Sequence, residues 1–244
     1  MQALRDRRTG TPTLMRLDRL LANQPHLSRQ DARLLLARGQ VRVDGQVVRD
    51  AAHEVRAFAR VEADGLPIQS GCTARYFMLH KPAGYVSATR DPQHPTVLDL
   101  LEESDRADLH IAGRLDGNTT GLLLVTNDGR WSRRLTQPDS QLGKVYRVDT
   151  AHDIDPACVE HFAAGLYFRF ENLITRPARL ELLGPRQARL TLHEGRYHQV
   201  KRMFGRFRNP VTALHRERMG PIVLDPALGP GQYRALTIEE IASV

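Results

Sequence analysis

The chain has few of the features that mark secreted, membrane and metal-binding proteins. Among its 244 residues only Cys72 and Cys158 are cysteines, and because they lie far apart in no metal-ligand spacing, we expect two reduced thiols. No apolar run reaches the roughly 18 residues that a membrane span requires. The first residues contain no apolar segment typical of a signal peptide. The sequence therefore predicts a cytoplasmic protein that does not associate with membranes.

Lysine is also scarce, so the basic charge of the chain comes mainly from arginine. The formal net charge is +7, and the planar guanidinium group of arginine matches the oxygens of a phosphate well. Nucleic acid is therefore the favoured class of partner. Apolar residues make up 41% of the chain, which is enough for a soluble protein to bury one large or two modest cores.

The segment after the first 14 residues has the pattern of two short helices followed by a β-hairpin. Ser28 is placed to cap the second helix and Gly39 to end it. The pair Asp44-Gly45 between valine-rich segments indicates a tight hairpin turn. Apolar residues at helical spacing mark the inner faces of the two helices: Leu17, Leu20 and Leu21 in the first, and Ala32, Leu35 and Leu36 in the second.

Arginines lie on the outer face of this segment. Arg29 and Arg33 are four residues apart and so share one face of the second helix. The stretches RLDRLLA and SRQDARLLLARGQVRVDG, with the spacing between them, resemble the S4 RNA-binding domain. This resemblance implies that RNA phosphates are contacted by four arginines: Arg29, Arg33, Arg38 and Arg42. The alternative is an ordinary helical hairpin with a solvated charged face.

A change in composition indicates where the first domain ends. Asp64-Gly65, Pro67 and the small polar run 69–71 predict a linker over residues 63–72. The predicted organisation is therefore a disordered tail at 1–14, an S4-like domain at 15–62, the linker at 63–72, and a larger domain at 73–244.

Strands outnumber helices in the larger domain. A helix is indicated after Asp155, with Pro156 in its first turn. Because the gaps between strands are of hairpin length, the pattern predicts an α+β fold with a mixed, largely antiparallel sheet flanked by helices. The strand-like runs are 76–79, 122–125, 144–148, 180–183 and 188–192.

The segment GRLDGNTTGLLLVTNDG, residues 113–129, holds the best candidate for chemistry. It places Asp116 on a glycine-flanked loop that leads directly into an apolar strand. A carboxylate on a loop fixed by a buried strand can be rigid and still accessible to a ligand. Most loop aspartates form turns instead, so the local pattern leaves both interpretations open.

A second motif, EGRYHQVKRMFGRF, covers residues 194–207. Its apolar residues follow the spacing of an amphipathic helix: Val200, Met203, Phe204 and Phe207. Beside them lie the basic residues Lys201, Arg202, Arg206 and Arg208. This composition is typical either of a helix that binds nucleic acid or of a solvated helix face.

Taken together, these motifs resemble the RsuA branch of the pseudouridine synthases. The resemblance is carried by GRLDGNTTGLLLVTNDG, KVYRV and EGRYHQVKRM, and the S4-like first domain matches the domain order of that branch. The flanking stretches YFMLHKPAGYVS, LHRERMG and PGQYRALTIEEIASV are also similar. The resemblance implies a monomeric enzyme that isomerises one uridine of 16S rRNA, free or in a small-subunit assembly intermediate, without a metal or other cofactor.

The resemblance also assigns roles to residues. Asp116 corresponds to the catalytic aspartate, Tyr146 to the tyrosine that stacks on the base, and Lys201 to the basic residue of the third motif. Asp116 acts as a nucleophile or as a base, and either role requires the ionised form that a nearby lysine favours. Arg114 is expected to contact the RNA backbone, and Arg202 to contact a phosphate or form a structural ion pair. Tyr146 could alternatively be a core residue.

Three other functions remain to be separated from this one. The same chemistry could act on a uridine of 23S rRNA, or the chain could be an S4-type assembly factor without activity. A glycosidase or nuclease is disfavoured because Asp116 has no obvious acidic partner in its motif and the ten histidines follow no ligand spacing.

Overall fold

The computed structural model describes residues 15–106, 108–137, 140 and 142–244. It divides into two compact units, with the boundary between Ala74 and Arg75. The disordered tail expected at 1–14 lies outside the described residues. In the described ranges, no helix is both long enough and apolar enough to cross a membrane.

The first unit packs two short helices against small antiparallel strands. Its helices are α1 (Leu17–Ala22) and α2 (Arg29–Ala37). Its strands are β1 (Met15–Arg16), β2 (Val41–Val43), β3 (Gln46–Val47), β4 (Glu54–Val55), β5 (Arg60–Ala63) and β6 (Leu66–Ser70). Strands β3, β2, β5 and β6 form one sheet in that order, and β1 pairs with β4. The core contains the predicted inner residues of both helices, among them Leu17, Leu21, Ala32 and Leu36.

The local signals predicted for α2 are present. The Ser28 hydroxyl accepts the backbone N–H of Asp31, and the Asp31 carboxylate accepts the backbone N–H of Ser28. This reciprocal pair satisfies two N–H groups that the first helical turn leaves without partners. Gly39 follows the helix with a φ of 70°, the left-handed conformation that glycine adopts without strain.

Two Asp-Gly pairs form the tight hairpin turns of this unit. Asp44 and Gly45 both have positive φ between β2 and β3, and Asp64 and Gly65 do the same between β5 and β6. This is the turn type whose twist matches that of the adjoining strands. The prediction of a linker was therefore wrong over 66–70, where β6 pairs with β5. Pro67 is tolerated because β6 is an edge strand, which need not donate every N–H.

The second unit is built on a nine-stranded mixed sheet. Its strands are β7 (Tyr76–Lys81), β8 (His110–Ala112), β9 (Thr120–Thr126), β10 (Lys144–Thr150), β13 (Arg179–Gly184), β14 (Gln187–Leu192), β15 (Val211–Met219), β16 (Ile222–Val223) and β17 (Tyr233–Ala235). The order is β13, β14, β10, β15, β9, β7, β17, with β16 beside β15 and β8 beside β9. The pair of β9 and β15 is parallel and the other described pairs of this sheet are antiparallel, as predicted.

Helices cover both faces of this sheet, and a separate hairpin completes the unit. The helices are α3 (Gly129–Thr136), α4 (Ala157–Ala164), α5 (Gln199–Gly205) and α6 (Ile238–Ala242), and the hairpin strands are β11 (Tyr167–Phe168) and β12 (Leu173–Ile174). Short 3₁₀ turns occupy Val97–Leu100 and Glu103–Asp105. The helix predicted around Phe207 is shorter than expected, because α5 ends at Gly205 and Arg208 is left-handed.

Strand β9 is buried on both faces. Leu123 and Val125 enter one apolar cluster with Phe162 of α4, whereas Leu122 and Leu124 enter the opposite cluster with Trp131 of α3. Alternation along the strand therefore supplies both cores. The loop that precedes β9, which carries Asp116, is fixed at its end to the most buried part of the sheet.

Candidate active site

Asp116 begins a tight turn that leaves its carboxylate available. The backbone N–H of Thr119 donates to the backbone carbonyl of Asp116 at 3.0 Å, so the turn is closed by the main chain. The carboxylate instead faces two basic side chains, with Lys201 Nζ at 3.2 Å and His198 Nε2 at 3.5 Å from Oδ2. The expected turn and a side chain placed for chemistry are thus both present at Asp116.

The cation beside Asp116 comes from α5. Lys201 Nζ lies at 3.2 Å from the carboxylate and also donates to Asn118 Oδ1 at 2.7 Å. Two acceptors on the same loop therefore fix the ammonium group. Its positive charge therefore lies at ion-pair distance from the Asp116 carboxylate.

His198 is a member of the site that the sequence did not single out. It precedes α5 with a φ of 49° and a ψ of 32°, a left-handed conformation that is uncommon for a residue with a side chain. Its ring stacks on that of Tyr197, with the ring centroids 3.9 Å apart. The backbone conformation and the stacking together direct Nε2 toward Asp116.

The buried Glu194 fixes the segment that leads into α5 through hydrogen bonds. Its Oε1 accepts the Gln199 side-chain N–H at 2.7 Å and the backbone N–H of Arg176 at 3.0 Å. Its Oε2 accepts Arg196 Nε at 3.0 Å. This network fixes the chain on either side of His198.

Lys81 fixes the Asp116 loop through hydrogen bonds to backbone carbonyls. It is fully buried at the end of β7, and its Nζ donates to the carbonyls of Thr119, Pro82 and Gly117 at 2.8, 3.0 and 3.1 Å. Burial lowers the pKa of Lys81 to about 8, opposed by attraction to Asp116 and assisted by repulsion from Arg216. The loop is thus held by an ammonium group that uses all three of its protons.

Arg216 holds the same loop from β15. Its Nε donates to the carbonyl of Leu122 at 2.8 Å, and its NH1 to the carbonyl of Arg114 at 3.4 Å. The two strands approach closely at Gly121, where an added Cβ would lie 2.3 Å from the Arg216 carbonyl oxygen. Gly121 also has a φ of +105°. Only glycine fits this contact without moving the backbone.

A cleft of about 820 Å³ opens over the carboxylate. Tyr146 and Leu214, from neighbouring strands, contribute apolar surface to its wall, and both are largely buried. Lys144, two residues before Tyr146, also lines the cleft. Burial lowers the pKa of Lys144, with repulsion from Arg216 adding to the effect and Glu194 opposing it.

The distribution of lysine is informative at this point. The chain contains three lysines, Lys81, Lys144 and Lys201; two line the cleft and the third supports its loop. Elsewhere arginine supplies the positive charge. Among the described residues, no group of three or more His, Cys, Asp and Glu side chains is placed to hold a metal ion.

The arginines predicted to contact RNA lie in different settings. Arg114 is exposed and lines the cleft. Arg202 forms a bidentate ion pair with Glu171, at 2.5 and 2.6 Å, which is the structural alternative left open by the sequence. The remaining four are exposed on the first unit: Arg29, Arg33, Arg38 and Arg42.

The site thus combines a carboxylate on a backbone-closed turn, a lysine within ion-pair distance of it, and a cleft with apolar side chains in its wall. Residues 75–205 match the RNA pseudouridylate synthase family, and residues 15–61 match the S4 domain. The chain therefore belongs to the RNA pseudouridylate synthase family and carries an N-terminal S4 domain.

Relatives with known names match along almost the whole chain. The ribosomal small subunit pseudouridine synthase A of Pseudomonas aeruginosa is 68% identical over 94% of this chain and 100% of its own length. The enzyme of that name from Escherichia coli is 50% identical over the same shares. A solved pseudouridylate synthase structure superimposes with a TM-score of 0.69 at 37% identity, covering 94% of this chain and 99% of its own.

Proposed function

We propose that this protein isomerises a uridine of 16S rRNA to pseudouridine. The observation that carries the proposal is the Asp116 carboxylate 3.2 Å from Lys201 inside the cleft. The names of the similar enzymes, which refer to the ribosomal small subunit, support the choice of RNA. We place the reaction in the cytoplasm, on free 16S rRNA or a small-subunit assembly intermediate. Because the proposed catalytic residues belong to one chain, we expect a monomer to suffice.

The reaction exchanges one bond between base and sugar for another. The bond from the sugar to N1 of uracil breaks, the base rotates, a bond to C5 forms, and the proton on C5 is replaced by one on N1. Asp116 attacks the sugar or removes a sugar proton, and both roles require the carboxylate in its ionised form. Two basic side chains face that carboxylate, with Lys201 Nζ at 3.2 Å and His198 Nε2 at 3.5 Å from Oδ2.

The cleft wall is suited to retaining the detached base. Tyr146 offers a flat apolar face with a hydroxyl at its edge, and Leu214 adds an aliphatic surface from the next strand. A uridine in folded RNA must leave its stack to reach such a wall. We assign Arg114, at the mouth of the cleft, to the displaced RNA backbone.

We assign the S4 domain to docking of the RNA. Its four exposed arginines, Arg29, Arg33, Arg38 and Arg42, provide charge that binds phosphates without reading sequence. We also assign Arg202 to the RNA-binding face, indirectly, through its ion pair with Glu171.

Carbodiimide mapping of rRNA from a deletion strain tests reaction and target together, because the reagent marks pseudouridine and leaves uridine unmarked after alkali. We expect one 16S signal to disappear and to return when the gene is restored on a plasmid. Loss of a 23S signal would reject the proposed target. Unchanged maps of both RNAs would favour an assembly factor without activity.

A further inference from the structure

Three aromatic side chains are exposed in this region: Tyr197 lines the catalytic cleft, and Tyr167 and Phe170 line a second groove. Phe170 is 97% exposed, Tyr197 77% and Tyr167 50%, whereas the other aromatic side chains of the described residues are buried or partly buried. We call these three residues the aromatic rim. Clustered apolar groups left in water usually mark a binding surface.

The hairpin of β11 and β12 presents two members of the aromatic rim. Tyr167 pairs with Ile174 across the strands, and its hydroxyl donates to Asn172 Oδ1 at 2.8 Å. Asn172 has a left-handed φ of 51°, which closes the tip of the hairpin. Phe170 lies at that tip and extends into solvent.

Arg202 connects this hairpin to the third member of the aromatic rim. Its guanidinium group binds both carboxylate oxygens of Glu171 at the tip and donates to the backbone carbonyl of Tyr197 at 3.3 Å. It also lies 3.9 Å above the ring of Phe168. The hairpin and Tyr197 are therefore fixed to one side chain.

The aromatic rim continues directly from the catalytic carboxylate. Tyr197 stacks on His198, which lies 3.5 Å from Asp116. On α5, Lys201 contacts Asp116 while its neighbour Arg202 contacts the hairpin. An RNA strand that leaves the cleft on this side would contact Tyr197 first and the hairpin of β11 and β12 next.

The charge beside the aromatic rim is positive. A groove of about 350 Å³ between the hairpin and α5 is lined by Tyr167, Phe170, Arg169 and Arg206, among others. Both arginines are exposed, and Glu171, the acidic residue of the tip, is neutralised by Arg202. Aromatic faces alternating with guanidinium groups are the surface on which unpaired nucleotides stack.

We propose that the aromatic rim binds unpaired nucleotides adjacent to the target uridine, with bases on the aromatic rings and phosphates against Arg169 and Arg206. This inference rests on the proposed function, since it names the part of the same RNA that lies outside the cleft. It predicts that binding energy comes from nucleotides that are not modified.

The test compares full-length Phe170→Ala with wild type on a 16S rRNA transcript. Fluorescence anisotropy gives the Kd, and tritium release from 5-tritiated uridine gives the single-turnover rate at saturating enzyme. Loss of one stacked base is expected to raise the Kd about tenfold and to leave the saturating rate unchanged. Phe170→Trp is expected to restore the Kd, because any aromatic face can stack.

Ile174→Ala provides the matched control, because Ile174 is 66% exposed on the same hairpin and is not aromatic. We expect its Kd to equal that of wild type. The inference is overturned if Phe170→Ala binds as wild type does, or if Ile174→Ala loses as much affinity. It is also overturned if Phe170→Ala binds the naked transcript normally and fails only on a particle containing ribosomal proteins.

Failure of the proposed function has a different signature. A wild-type protein that forms no pseudouridine in the transcript or in an assembly particle would reject the function, whatever the variants do. A wild-type protein that modifies its RNA, together with an equally tight Phe170→Ala variant, would reject the aromatic rim alone.

Discussion

Replacing Lys81 by methionine tests how the fold holds the Asp116 carboxylate, the proposed catalytic group. Methionine is similar in length to lysine but donates no hydrogen bond, so three carbonyls lose an N–H donor. The Gly117 carbonyl keeps the backbone N–H of Gly84 at 2.9 Å, whereas those of Pro82 and Thr119 lose the Lys81 donor. Each such loss costs about 1–3 kcal/mol if the acceptor stays buried without a partner.

An opposing effect limits the loss of stability. A pKa lowered from 10.5 to about 8 means that keeping the Lys81 ammonium charged inside the fold costs about 3 kcal/mol. Methionine removes that cost, so the two changes largely cancel. We expect the free energy of unfolding in urea to fall by about 3 kcal/mol or less.

The effect on catalysis should be much larger. Two of the released carbonyls belong to the turn that begins at Asp116, and a displacement of about 1 Å at a reacting group lowers a rate about 100-fold. We therefore expect Lys81→Met to lower the single-turnover rate about 100-fold while the Kd for RNA stays within about twofold of wild type. A variant that reacts at the wild-type rate would refute this account of the loop.

The pH dependence provides a second measurement of Lys81. As pH rises through about 8, folded Lys81 loses its proton and therefore one of its three N–H donors. The wild-type rate should fall over this pH range. This fall in rate, the alkaline limb of the pH profile, should be absent in Lys81→Met. Unfolded Lys81 remains protonated up to about 10.5, so between these values the unfolded chain binds more protons. The contribution of Lys81 to stability therefore rises with pH while the rate falls. Persistence of the limb in the variant would contradict this assignment.

Three further predictions concern other parts of the structure. Gly121→Ala should lower the free energy of unfolding by about 3 kcal/mol, because the new Cβ would collide with the Arg216 carbonyl at an unfavourable φ; Gly117→Ala, with no atom within 4 Å of its added Cβ, is the urea-denaturation control. Lys201→Met should lower the single-turnover rate about 100-fold, and Lys201→Arg should recover most of it, since the charge beside Asp116 returns; equal losses in both variants would contradict a charge effect. Full-length protein with glutamine at all four S4 arginines should show a slope of log Kd against log salt that is smaller by about 3, and an unchanged slope would count against docking by Arg29, Arg33, Arg38 and Arg42.

Much of this architecture is encoded in short-range patterns. The capping box of Ser28 and Asp31, the hairpin at Asp44-Gly45 and the alternation along β9 all depend on residues within a few positions of one another. The same locality explains the linker error at Asp64-Gly65. An Asp-Gly pair marks either a linker or a hairpin, and the partner strand β5 decides between them.

The residues that hold the Asp116 loop in place, Lys81 and Arg216, were harder to predict. Lys81 donates to carbonyls up to 38 residues away, and Arg216 reaches Leu122, 94 residues distant. In the sequence each of them is an ordinary charged residue on or at the end of a strand. His198 gave a local signal, since it lies within the third motif, but the motif does not indicate its left-handed backbone. Motif resemblance predicted that Asp116 and Lys201 share one site, and their side chains lie 3.2 Å apart. Such a resemblance carries information about tertiary proximity that spacing alone lacks.

The central claim is that Asp116 performs the chemistry, and the Asp116→Asn variant tests it most directly. Asparagine keeps the size of the side chain and removes its charge, so the turn closed by Thr119 should form as before. Two quantities are measured with a 16S rRNA transcript: the Kd of the variant for that RNA, and the pseudouridine formed after many half-lives of the wild-type reaction. We expect no detectable pseudouridine and an unchanged Kd. Pseudouridine formed by Asp116→Asn in this assay would contradict the account.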